Sequence, residues 1–222
     1  MNNPSSPGKG AILSAIVAGC IVSFIGFGFA ASFGIFLQPM SSDLQWPREV
    51  FSLSIAIQAL CWGFAQPLAG MVADRYGAAR VLAFGAVTSA LGFFIRGDVT
   101  DPAIFVISGV IVGIGTGACS FPVVIIALGK IVSARQRSLV MGLGTAAAST
   151  GMLVAAPMSQ LLLQAGGWQF AINVMAGGFL LILPFLVFIG RVSRPSIDRN
   201  HTGGIVPAIR VAFSDRSFVL LF

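Results

Sequence analysis

The chain is poor in charge and in the side chains from which catalytic and metal sites are built. Only 9% of its 222 residues are Asp, Glu, Lys or Arg, where a soluble domain carries about 25% to keep its surface wet. There is a single histidine, His201, in a polar segment. One imidazole and no paired cysteines argue against a His-built metal site or a Ser–His catalytic pair within the chain, so no metal or cofactor is expected and a membrane-embedded enzyme is disfavoured. The three cysteines, Cys20, Cys61 and Cys119, all lie in apolar runs with no CxxC spacing, and read as small buried hydrophobes. Acids are missing from the middle of every apolar run: Asp43, Glu49, Asp98 and Asp101 fall at one set of ends and Asp74 at the other.

What is present is apolar. Hydrophobic residues make up 56% of the chain and the mean hydropathy is +0.94, more than one buried core accounts for, so most side chains must face lipid or other helices. A net charge of +6 would suit nucleic acid only if the bases clustered on a soluble face. They sit between apolar runs instead, which excludes nucleic acid as a partner and makes the lipid bilayer the first one.

The uncharged stretches Gly10–Ser42, Val50–Ala73 and Pro102–Gly129 each suffice for one membrane crossing, which needs about 20 apolar residues. Val81–Ile95 is shorter, and spans if Arg80 and Arg96 snorkel into the two headgroup layers. Ser138–Gly190 is long enough for two crossings, broken at Gln164–Trp168, where paired glycines favour a turn and an indole suits the interface. The reading is an all-α integral membrane protein. It has an N-terminal tail at 1–9 and six transmembrane helices within 10–191, at about 10–37, 50–73, 78–97, 102–129, 138–163 and 168–190. A polar loop at 192–216 and the start of a seventh helix at 217–222 follow. The first stretch is too long for a cleaved signal peptide.

With the N-terminus inside, eleven of the thirteen Lys and Arg residues fall in inner segments, leaving Arg48 and Arg96 outside. That bias places both ends of the bundle in the cytoplasm, the expected membrane being a bacterial inner (plasma) membrane. A faint internal repeat accompanies it: Pro67 with Pro157 and Gly77 with Gly167 share one spacing, which suits two three-helix units of inverted topology.

The segment Gly70-Met-Val-Ala-Asp74-Arg75-Tyr-Gly77-Ala-Ala-Arg80 resembles the G-x-x-x-D-R-x-G-x-[RK]-[RK] signature of the major facilitator superfamily, in the loop after its second helix. Ser32–Pro39, Trp46-Pro-Arg48, Gly113-Ile-Gly115-Thr-Gly117, Phe121-Pro122, Arg135–Gly142 and Gly167-Trp168 are similar to its monocarboxylate and oxalate/formate branch. The acidic-Gly-Gly-Trp opening of animal monocarboxylate carriers is absent, and Gly129-Lys130-Ile131 replaces an aromatic pair often found at the end of the fourth helix. Gly109 stands where many drug-exporting relatives carry an arginine, which argues against a drug/proton antiporter of that type.

The resemblance implies the N-terminal six-helix half of such a fold, a 3+3 inverted repeat, with the C-terminal half missing or supplied by a second chain. It implies alternating-access secondary transport of a small organic anion, monocarboxylate-like, by proton symport or anion exchange. An exporter of another small solute, or a truncated half acting only by assembly, remains the alternative. It further implies a cytoplasmic gate of Gly70, Asp74, Arg75, Gly77, Arg80, Arg135 and Arg137, and a substrate cavity drawn from Ser32, Phe33, Gln58, Thr116, Ser120, Thr145 and Ser149. Ser54, Gln58 and Cys61 share one face of the second helix, and Thr145 and Ser149 one face of the fifth. Arg96, near the outer mouth, has two readings, interface snorkelling and attraction of an anion. The stripe Gly109-x-x-x-Gly113-x-x-x-Gly117 permits close helix approach, within the bundle or across a dimer.

Overall fold

A computed structural model describes residues 9–129, 132 and 134–192. The loop at 192–216, the start of a seventh helix, the tail before residue 9 and Lys130 therefore lie outside the described residues, Val192 excepted. The described chain is helical, with no strand. Five helical stretches are long and apolar enough to cross a bilayer: Gly10–Leu44, Arg48–Tyr76, Ala78–Gly97, Pro102–Ile125 and Gln136–Arg191. The last has 56 residues, and at about 1.5 Å per residue it far exceeds one membrane thickness.

Prolines and glycines decide where these helices break. Helix α1 (Lys9–Ser32) passes through a 3-10 segment, Phe33–Phe36, into α2 (Leu37–Leu44). The first helical stretch therefore runs beyond position 37, because Pro39 falls in the first turn of α2, where a missing N–H costs nothing. Gln45, left-handed at φ 54°, closes α2. Helix α3 (Arg48–Tyr76) carries Pro67 in its interior and ends at Gly77, whose φ of 96° suits glycine and whose N–H bonds the Ala73 carbonyl at 2.9 Å.

Helix α4 is Ala78–Gly97. Asp101 caps α5 (Pro102–Ala118), accepting from the N–H of Ala103 at 2.7 Å, with Pro102 as the first helical residue. The chain breaks at Cys119–Ser120 before α6 (Phe121–Gly129). Pro122 has no N–H for the carbonyl a turn earlier, so the fourth apolar stretch is two helices end to end. Helix α7 (Ala134–Leu180) contains Pro157 and is interrupted at Gly167, at φ 79° and ψ 179°. Helix α8 (Ile182–Val192) follows a turn at Leu181.

Packing is set by backbone approach. α1 packs on α7, α3 on α5, and α4 against α5, α7 and α8. A β-carbon on Gly113 would stand 2.5 Å from the Gln58 carbonyl oxygen, and one on Gly109 2.6 Å from that of Ser54. The glycine stripe thus faces α3 inside the bundle. A β-carbon on Gly85 would stand 2.5 Å from the Cys119 nitrogen, and one on Gly28 2.7 Å from the Gly151 carbonyl oxygen. Small residues allow such contact, and close packing rather than a hydrophobic drive holds helices together in lipid. Outward, α3 shows Leu60, Phe64 and Leu68 and α7 shows Leu139, Leu153 and Leu161, all at least half exposed.

One polar contact joins the ends of distant helices. Trp168, just past the Gly167 interruption and buried, donates its indole N–H to Asp43 Oδ2 at 2.8 Å. A hydrogen bond to a charged group is worth about 1.5–3 kcal/mol. Trp168→Phe keeps most of the ring and loses the bond, and is expected to lower the melting temperature in detergent by roughly 5 °C, read by a thermal unfolding assay on the purified protein. A shift under one degree would show that this bond contributes nothing.

Candidate functional site: a buried arginine between three helices

Arg96 is fully buried, and it is the only charged side chain buried among the described residues. The snorkelling reading of Arg96 is therefore incorrect, for a geometric reason. Side chains on an α-helix lean toward its N-terminus. Arg96 is the second-last residue of α4, so its stem turns back into the bundle rather than out to the headgroups.

Its guanidinium is held by neutral oxygens from two neighbouring helices. Nε donates to Ser108 Oγ at 3.0 Å, Nη1 to Gln58 Oε1 at 2.7 Å and Nη2 to Ser54 Oγ at 3.1 Å. The hydroxyls of Ser54 and Ser108 both donate to the Phe105 carbonyl, at 3.0 and 2.6 Å. Their own hydrogens are thereby committed, and their lone pairs are left for the cation. Gly109 makes space for the Ser54 hydroxyl, since a β-carbon there would stand 2.9 Å from its Oγ.

Aromatic rings complete the enclosure. The guanidinium carbon lies 4.4 Å from the centroid of Phe33, 5.3 Å from Phe105 and 5.9 Å from Phe93. Phe33 in turn stacks on Phe51 at 5.4 Å and 6°, and Trp46 closes on Phe105 at 5.6 Å. No carboxylate forms an ion pair with Arg96 among the described residues. The rings and neutral oxygens offset part of a desolvation cost of several kcal/mol, and the positive charge itself stays uncompensated.

The expected cavity residues are only partly brought together. Phe33 and Gln58 meet at Arg96. Ser32 is buried one residue away and accepts a 3.2 Å hydrogen bond from Ser159 of α7. Thr116 is buried and bonds the Val112 carbonyl of its own helix at 2.7 Å. Ser120 sits in the α5–α6 break, buried, with no hydrogen-bond partner for Oγ among the described residues. Thr145 and Ser149 are exposed on α7, away from Arg96, and Thr145 bonds the Met141 carbonyl. Cys61 packs with Gln58 against Gly113 and also lines an open apolar groove of about 560 Å³ with Phe64, Leu68, Tyr76, Arg80 and Phe84.

Sequence reasoning missed Ser108, Ser159, Phe105 and the enclosed role of Arg96. The signal for Arg96 was a polar pair, Ser54 and Gln58, one turn apart on a neighbouring helix and needing a partner.

At the other end of α3 and α4, Asp74, Arg75 and Arg80 flank the Gly77 turn, while Arg137 lies in the first turn of α7. Asp74, Arg75, Arg80 and Arg137 are exposed, and the Arg75 guanidinium lies 5.3 Å over the Tyr76 ring. Gly70 is half-buried on the last turns of α3. The side chain of Arg135 lies outside the described residues.

The Major Facilitator Superfamily family model matches residues 18–222. The chain is 27% identical to an MFS-type transporter, YcxA, of Bacillus subtilis, across 72% of this chain and 40% of that protein. It is 26% identical to monocarboxylate transporter 4 of Rattus norvegicus, across 87% of this chain and 40% of the relative. Human monocarboxylate transporter 12 is 25% identical over 89% and 38%. The chain thus spans about two fifths of the length of these relatives. Among solved structures, a crystal structure of the peptide transporter POT with alafosfalin superposes with a TM-score of 0.68 at 17% identity, covering 99% of this chain and 47% of that one. Multi-pass, helical and matched by that model over nearly its whole length, this chain belongs to the Major Facilitator Superfamily, a family of transporters rather than enzymes.

Proposed function

We propose that this chain is the six-span N-terminal half of a secondary transporter that moves a small organic anion, monocarboxylate-like, by alternating access. The observation that carries the charge of the solute is Arg96: the one charge the described bundle buries is positive and has no carboxylate beside it. The monocarboxylate relatives point the same way. Six crossings are supported by the Gly167 interruption, which divides the longest helix. The 3+3 repeat draws support from Gly77 and Gly167, the two positive-φ glycines among the described residues, each following a helix with an interior proline, Pro67 or Pro157.

In this reading both ends of the bundle are cytoplasmic in a bacterial inner membrane, and the exposed apolar faces of α3 and α7 seat the second half, in the same polypeptide or a second chain. Thr145 and Ser149, exposed on α7, face the path between the halves. Asp74, Arg75, Arg80, Arg135 and Arg137, about the turn set by Gly70 and Gly77, form the gate on the cytoplasmic side.

The test is uptake of radiolabelled monocarboxylates into liposomes holding the protein expressed from its complete reading frame. Saturable uptake driven by a proton gradient, or by an internal carboxylate, is expected. Uptake of neutral or cationic solutes with none of carboxylates would overturn it. At the gate, Asp74→Asn is expected to slow turnover roughly tenfold while changing the apparent affinity less than about twofold. Equal initial rates in variant and wild type, at equal protein, would remove Asp74 from the gate.

A further inference from the structure

The enclosure of Arg96 has a wall that is built differently from the rest. Phe105, Ser108, Ser54 and Gln58 project from continuous helix, and Phe93 lies one turn before Arg96 on α4. Phe33, whose ring lies nearest the guanidinium at 4.4 Å, begins the 3-10 segment Phe33–Phe36 between α1 and α2. Such a segment inside a longer helix is a common site of hinge motion. The next residue, Gly34, is exposed with open space on the side where a β-carbon would stand. Phe33 is therefore the wall that can move without unravelling a helix.

What Phe33 covers is a guanidinium prepared for a carboxylate. Of its five N–H groups, three are used, one on each nitrogen, and all three go to neutral acceptors. Ser54 and Ser108 fix the plane of the fork because both are pinned to the Phe105 carbonyl. An oriented fork without a counter-ion recognises a carboxylate in two-point fashion, which a lysine ammonium does not reproduce. The single uncompensated charge matches a monoanion, and the surrounding rings of Phe51, Phe93 and Phe105 match a short apolar body attached to it.

Resting on the anion-transport reading above, we infer that Arg96 is the carboxylate-recognition group of the transport path. The structure holds it in a covered state, and movement of Phe33 on the 3-10 segment uncovers it to the substrate.

The experiment uses the protein from its complete reading frame, reconstituted in liposomes, with acetate, butyrate and benzoate as probes and their amides as controls. Arg96 is followed by phenylglyoxal labelling, read at that residue by peptide mass spectrometry. In wild type, slow labelling is expected, slowed further by the carboxylates and not by the amides. Phe33→Ala, which keeps the arginine and its hydrogen bonds, is expected to speed labelling roughly tenfold. Arg96→Lys, which keeps the charge and loses the fork, is expected to weaken carboxylate uptake at least about tenfold in apparent affinity.

Arg96 labelling that ignores both Phe33→Ala and the carboxylates, or unchanged apparent affinity in Arg96→Lys, would make Arg96 a packing clamp. With wild-type carboxylate uptake intact, that result sinks this inference alone. If wild type takes up none of the carboxylates, the anion reading falls and this inference with it.

Discussion

Gly151→Leu is expected to abolish the folded bundle. The α1–α7 crossing is a contact of backbone with backbone: a β-carbon on Gly151 would run into the Phe24 carbonyl, and one on Gly28 would stand 2.7 Å from the Gly151 oxygen. Neither neighbour is the flexible end of a side chain, so the helices themselves must part. Overpacking inside a well-packed interior costs about 1–3 kcal/mol when side chains can shift, and here they are not what is in the way. In lipid the loss is severe, because close approach is itself the source of helix association. The measurement is the monodisperse fraction recovered on size exclusion after solubilisation, which should fall to near zero. Gly142, on the same helix, is exposed with nothing within 4 Å of a β-carbon, so Gly142→Leu should elute like wild type. Similar recovery of both variants would mean that the crossing is not built on Gly151.

The second large effect is at Gln58, and its sign depends on the replacement. Gln58→Leu removes the acceptor of the shortest bond to Arg96, at 2.7 Å, and strands a guanidinium N–H among apolar atoms. Breaking one side of a buried charged contact costs about 3–5 kcal/mol, which corresponds to a fall in melting temperature of roughly 10 °C in a chain of this size. Gln58→Glu does the opposite: it places a carboxylate where an amide oxygen now sits and gives the cation a permanent partner. That variant is expected to melt at or above wild type while losing carboxylate uptake, since the internal acid occupies the fork. Melting curves and liposome uptake on the same preparations decide it. A Gln58→Glu protein that transports carboxylates normally would separate Arg96 from the solute.

The two outcomes also mark where the sequence was informative. The apolar stretches, the Gly77 turn and the Gly167 interruption were legible because each rests on local chemistry: a glycine at positive φ, a charged loop between uncharged runs. The ends of the first and fourth spans were not legible: the first runs past position 37 through Pro39, and the fourth is divided just before Pro122. A proline in the first turn of a helix is silent, and whether the preceding turn breaks depends on what packs beside it. Arg96 was misplaced because its depth is decided by the lean of its stem and by Ser54, Gln58 and Ser108 on other helices, none of which is near it in sequence. The inward turn of Ser159 toward Ser32 was hidden for the same reason.

The pairing of α1 with α7 and of α3 with α5 has a consequence for how the protein is made. Gly28 enters the bilayer long before Gly151 leaves the ribosome, and at about 5–20 residues per second the interval is on the order of ten seconds. Throughout that time α1 lies in lipid with the face around Gly28 unfilled. A nascent chain in that condition depends on something to shelter it, and the insertion machinery is the body at hand. Substitutions at these crossings should therefore register first as lost yield during synthesis, before any finished molecule exists whose transport could be measured.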